Sequence, residues 1–178
     1  MMTMRSQLRK LLRDTDGQEI IEAAIVIPLL FTILFGVYWF GRAFNIYGTI
    51  NHAAREGARV AVSSCASCGN TAATDAQIAT GVTEALQASK LDPSKVQCYT
   101  PGPNPVACPG FSSPCTCNAG SSNVRICRSV WLNAGSSDPP VCGVTVSFKY
   151  PYQFWFPFTS VSGQNISLKA SVQADGEE

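Results

Sequence analysis

Residues 23–41 read AAIVIPLLFTILFGVYWFG, nineteen consecutive positions without a charge. Wound as a helix, that run is roughly 28 Å long, the thickness of a bilayer's hydrocarbon core. Tyr38, Trp39 and Phe40 cluster at its C-terminal end, where amphipathic rings settle at a membrane interface. Beyond it the pattern changes to small residues at spacing four, Ala53/Gly57/Ala61 and Ala54/Ala58. Such faces let helices approach closely. Two readings of this face stand: packing between subunits, or packing on the protein's own distal domain. Thr74-Asp75-Ala76-Gln77 is a capping box, Ile78, Val82 and Leu86 continue a helical period, and Asp92-Pro93 ends it. Strand-like runs follow at 95–99, 124–132, 143–150 and 165–173. In the last, Ile166, Leu168, Ala170 and Val172 alternate with Ser167, Lys169, Ser171 and Gln173, as a sheet with one solvated face requires. The expected fold is α+β. A long N-terminal transmembrane helix, with Pro28 as a kink, continues into a distal domain that has a second helix, an antiparallel sheet of about four strands and disulfide-stapled loops. Three regions follow: a basic leader at 1–17, a helix at 18–62 spanning the membrane at about 23–41, and a cysteine-rich extracytoplasmic domain at 63–178.

Charge fixes the topology. Arg5, Arg9, Lys10 and Arg13 precede the apolar run and only Arg42 follows it closely, so the N-terminus belongs in the cytoplasm and the remainder across the membrane. The cysteines agree. All eight, Cys65, Cys68, Cys98, Cys108, Cys115, Cys117, Cys127 and Cys142, lie beyond the span. So dense a set of thiols implies disulfides in an oxidising compartment, or else metal. The lone His52 lies outside that window, so the metal alternative would need four thiolates; disulfides are the reading taken, with no metal and no cofactor expected. Eight cysteines leave the pairing open. Net charge is +1 with 13 basic and 12 acidic residues, which offers no basic field for nucleic acid.

At the start of the apolar run stands Asp16-Gly17-Gln18-Glu19-Ile20-Ile21-Glu22. A carboxylate set directly against a membrane segment is costly enough to suggest function. Cutting after Gly17 would make Glu22 the fifth residue of a chain beginning at Gln18. A glycine before the cut, a glutamate at that position and an apolar helix together resemble a type IV prepilin signal. With Ala53-Ala54-Arg55-Glu56-Gly57-Ala58-Arg59 downstream, residues 17–62 resemble the TadE-like pseudopilin family of Tad-type pilus assembly and secretion systems. Ala23 after Glu22 departs from the aromatic that many pilin-type signals place there. The resemblance implies a bacterial inner-membrane protein, single-pass, cleaved by a prepilin peptidase between Gly17 and Gln18. It implies further that Glu22 neutralises a neighbouring subunit's N-terminal ammonium. The implied partners are that peptidase, other pilin-like subunits with their assembly machinery, and membrane lipid. A buried ion pair of this kind chiefly sets register, because desolvation offsets most of its attraction.

No phosphate-binding loop and no nucleophile elbow occur, and one histidine gives acid–base chemistry little to use. The chain therefore reads as a peptidase's substrate rather than an enzyme. Other readings are a major filament subunit, a plain membrane-anchored cysteine-rich binding module, and a tethered thiol oxidoreductase using Cys65-Ala66-Ser67-Cys68. Residues 100–123 form a proline-rich irregular loop restrained by cross-links. The segment FKYPYQFWFPF at 148–158 places an aromatic at every even position, as a sheet core does; exposed, it would be a partner patch.

Overall fold

The structure, a computed structural model, describes residues 15–63, 73–112, 115–117, 123–153 and 165–175. The leader up to residue 14, Cys65, Cys68 and the aromatic positions 154–158 lie outside these. Helix α1 is Thr15–Val62, and the chain divides into two compact units, Met1–Arg42 and Ala43–Glu178.

In the first unit the helix runs through Pro28. Proline has no N–H to donate to the preceding turn, and the Thr32 hydroxyl donates to the Pro28 carbonyl at 2.8 Å. Ile20, Ile25, Leu29, Phe31, Leu34, Val37 and Phe40, which cover its whole circumference, are exposed. A helix apolar on all sides with none of its hydrophobic window buried in protein is stable only in lipid. Near its end Tyr38 packs edge-on against Trp39 at 5.6 Å, and the Arg42 guanidinium lies over the Trp39 ring at 5.8 Å.

The second unit packs two helices on a sheet. Helix α2, Asp75–Ala88, opens with the expected capping box: Gln77 N donates to Thr74 Oγ1 and Thr74 N donates to Gln77 Oε1. It ends before Asp92-Pro93. Lys90 takes the left-handed conformation (φ 59°), while Leu91 N donates to Leu86 O and Lys90 N to Gln87 O. That is a Schellman cap with lysine where glycine is usual. A 3-10 turn at Pro93–Lys95, capped by Asp92, replaces the start of the expected first strand.

Among the described residues five strands follow: β1 Gln97–Cys98, β2 Cys115–Cys117, β3 Arg125–Trp131, β4 Cys142–Gln153 and β5 Asn165–Asp175. All pairings are antiparallel. The twelve-residue β4 is the centre: β5 runs along one edge, β3 and then β1 share the other, and β2 lies outside β3. Strand β2 falls inside the expected irregular loop.

The period-two pattern sorts the two faces. Val146, Phe148, Tyr150 and Tyr152 of β4 share the core face with Ile126 of β3 and Ala170 of β5, and all are buried. The described part of the aromatic segment is thus core. Residues 43–62 of α1 and helix α2 pack on this face. Ile50, Ala53, Ala54 and Ala58 of α1, with Ile78, Val82 and Leu86 of α2, are almost wholly shielded from solvent. The helices cross at reciprocal glycines. A Cβ at Gly57 would come within 2.5 Å of Val82 Cγ2, and one at Gly81 within 3.1 Å of Val60 Cγ2. This settles where the small-residue face goes: it packs on the protein's own domain.

The opposite face carries Arg125 and Cys127 of β3, Thr145 and Ser147 of β4, and Ser171 and Gln173 of β5. On β5 it is solvated, as expected. On β3 and β4 it is covered: Arg125, Thr145 and Ser147 are buried. The cover is the segment after β1, where Tyr99 O accepts from Ser147 Oγ and Asn104 Oδ1 from Arg125 Nη2.

Candidate functional site

The candidate assembly residues lie along α1. Gly17 and Gln18 fall in its first turn. Glu22, one turn further, is exposed and precedes the apolar stretch without a break in the helix. A carboxylate so placed, beside exposed Ile21 and Ile25, has no counter-charge from the described residues of this chain.

The second candidate set, residues 53–59, splits by chemistry. Ala53, Ala54, Gly57 and Ala58 lie in the core, and at Gly57 even a Cβ would collide with Val82 of α2. Arg55 and Arg59 are exposed on the opposite side, and Glu56 is half-buried with His52 Nε2 4.0 Å from its Oε1. One helical stripe therefore presents Phe44, Gly48, Arg55 and Arg59 to the outside, with Tyr47 at its border. Phe44 is 72% exposed. The small-residue periodicity points to the buried side of the helix, whereas exposed Phe44 and Tyr47 are silent in the sequence, since single surface aromatics carry no periodic signal.

The cysteines hold the sheet and its cover. Cys98–Cys117 joins β1 to β2, Cys115–Cys127 staples β2 onto β3, and Cys108–Cys142 ties the covering segment to the start of β4. Every described cysteine is paired. Cross-links of this separation typically contribute about 2–4 kcal/mol each, largely by restricting the unfolded chain. A polar clamp adds to them. Arg128 Nε and Nη2 donate to Asp75 Oδ1 at 2.9 and 2.7 Å, and Thr116 Oγ1 donates to Asp75 Oδ2 at 2.6 Å, so the first residue of α2 is fixed to β3 and β2. Partial burial pushes the Asp75 carboxyl up. The Thr116 and Arg128 hydrogen bonds and the Arg128 charge outweigh it and hold the group below its ordinary value. Among the described residues no group of His, Cys, Asp or Glu is arranged to hold a metal ion.

A helix exposed and apolar on every side, joined to a disulfide-bonded α+β domain, defines a membrane-anchored protein. Its N-terminal quarter is more specific. Residues 17–59 match the TadE-like protein family, from the glycine at the candidate cut to the last arginine of the AAREGAR stretch. The resemblance to a TadE-like pseudopilin drawn from the sequence is thereby upheld, and it connects the chain to the pilin-like proteins of Tad pilus systems, which are structural components rather than enzymes. No curated protein and no solved structure matches the chain.

Proposed function

We propose that this chain is a minor pseudopilin of a Tad-type pilus assembly machine, matured by a prepilin peptidase between Gly17 and Gln18. One observation carries the proposal: the TadE-like match begins at Gly17 and runs unbroken into a helix whose large apolar side chains from Ile20 to Tyr38 are exposed. Cleavage frees an ammonium at Gln18, five positions from the Glu22 carboxylate counting both. In a bundle of such helices, Glu22 of one subunit neutralises the terminal ammonium of another. Within lipid that pair sets the axial register of neighbours, since a shift of one turn leaves two uncompensated charges. The stripe of Phe44, Arg55 and Arg59 faces the pilin-like neighbours or assembly proteins.

The basic leader supports a cytoplasmic N-terminus, and three disulfides support a domain on the oxidising side, periplasmic or extracellular. The division into leader, span-bearing helix and cysteine-rich domain accords with this arrangement. N-terminal sequencing of membrane-extracted protein tests the proposal. Gln18 is the expected first residue; a chain still beginning with the leader refutes maturation.

A further inference from the structure

Beneath the proline-rich cover on the polar face of the sheet is a cavity of about 310 Å³. Its roof is residues 101–106; its floor and side are Arg125 of β3, Thr145 of β4, and Ser171 and Gln173 of β5. The site has an unusual electrostatic character. Arg125 is 7% exposed and Thr145 4%, yet the described residues offer no partner to Arg125 Nη1 or to Thr145 Oγ1. The remaining terminal nitrogen, Nη2, makes one long bond of 3.4 Å to Asn104 Oδ1. Among the described residues no carboxylate lines the cavity, and the ion pairs involve Glu56 and Asp75 instead. A guanidinium cannot shed its charge by losing a proton, so burying one without a counter-ion costs several kcal/mol.

The two orphan groups are neighbours by register. Arg125 faces Ser147 and Cys127 faces Thr145, which places Arg125 diagonally across from Thr145 on one face. A guanidinium fork and a hydroxyl converging there form a donor set for a single planar anion. Among the described lining residues Arg125 is the one cation, and Pro101, Pro103 and Pro105 contribute no N–H. That suits a monoanion rather than a phosphate dianion. The roof is anchored at its ends by Trp131 N donating to Val106 O and by the Cys98 and Cys108 disulfides. Toward Arg125 its middle is held by the Asn104 bond, which a stronger acceptor can replace.

We propose that this cavity binds a carboxylate, with Arg125 as its counter-ion and Thr145 as a second donor. The carboxylate comes from a small organic acid or from the acidic side chain or free end of a peptide. The proposal is independent of the pilus reading.

The test uses full-length protein in detergent, with the ¹⁵N side-chain signal of Arg125 and the denaturation midpoint as readouts. N-acetylglycine should shift both saturably, whereas N-acetylglycinamide, which lacks the charge, should shift neither. Tighter binding of N-acetylglycine than acetate supports a peptide source, and equal binding a small acid. Thr145→Val should weaken N-acetylglycine binding about tenfold, or about 1.4 kcal/mol. Arg125→Gln should abolish it while leaving the ligand-free midpoint at or above that of the wild type, because a buried unpaired charge has been removed. Equal responses to the acid and the amide, no saturable response to the acid, or undiminished binding by Thr145→Val overturns the proposal. So does a change in the ligand-free Arg125 signal on replacing Glu177→Gln with Glu178→Gln, which would make the chain's own carboxylates the occupant.

Discussion

Placing one methyl group at each of two glycines on α1 tests the packing directly. At Gly48 an added Cβ meets nothing within 4 Å. Gly48→Ala therefore gains the helix propensity of alanine over glycine, about 0.8–1 kcal/mol of stabilisation. At Gly57 the same methyl gains the same propensity but lies 2.5 Å from Val82 Cγ2, about 1 Å inside an ordinary carbon–carbon contact. Val82 is fully buried and stiff at χ1. Relief must come from the helices moving apart, and overpacking of this kind costs about 1–3 kcal/mol. Gly57→Ala should be neutral to destabilising by about 2 kcal/mol, so the two variants should differ by about 1–3 kcal/mol. Urea titration of the full-length chain in detergent, followed by tryptophan fluorescence, measures both. A double variant sharpens the result. Val82→Ala removes the atom in the way, so adding Gly57→Ala to it should cost less than in the wild type, with a coupling of about 0.5–3 kcal/mol. Equal effects at Gly48 and Gly57, together with zero coupling to Val82, would refute the crossing.

Lys90→Gly should stabilise the domain by about 1 kcal/mol in the same titration, because glycine adopts the left-handed cap at no steric cost. Asp75 predicts an acid limb. Its folded pKa is depressed below the ordinary 3.8, so its contribution is complete above the unfolded value of about 3.9 and is lost as the pH falls through the folded value. Asp75→Asn should remove that part of the loss below about pH 4; an unchanged acid limb counts against the clamp. Gly17→Val should leave the full-length precursor in the membrane on an immunoblot, and normal maturation would exclude cleavage at that bond. Glu22→Ala should reduce co-purification with the pilus machinery, since breaking a buried pair costs about 3–5 kcal/mol, while the unfolding of the distal domain stays unchanged.

What could be read from the sequence was whatever repeats over several turns or strands. The apolar span, the Thr74–Gln77 box, the alternation in β5 and the core positions of Phe148, Tyr150 and Tyr152 all meet that condition. Strand β2 does not. Its three residues, Cys115, Thr116 and Cys117, are too few to show a period and stand among prolines. The end of α2 at Ala88 is hidden in the sequence, because Asp92-Pro93 is a louder stop signal than a lysine in a left-handed cap. Cysteine pairing depends on strand register, which spacing alone does not determine. The direction of the small-residue face is set by the fit of Val82 against the bare backbone at Gly57, two residues far apart in sequence. Arg125 had no local signature at all: a basic residue at a strand's start normally faces water, and it is the covering segment, not the strand, that buries it.

The family match ends at residue 59, whereas the core completed by Ile50, Ala53, Ala54 and Ala58 is closed by strands extending to residue 175. The recognisable segment and the folding unit therefore overlap rather than abut. A graft that exchanges everything after residue 62 for the corresponding part of another protein would strip the wall from one core and offer it to another. Such chimeras should succeed only when the incoming helix presents a side chain no larger than Val82 to Gly57 and leaves a gap like that at Gly81 for Val60. The seam for recombination lies near residue 42, ahead of the AAREGAR stretch.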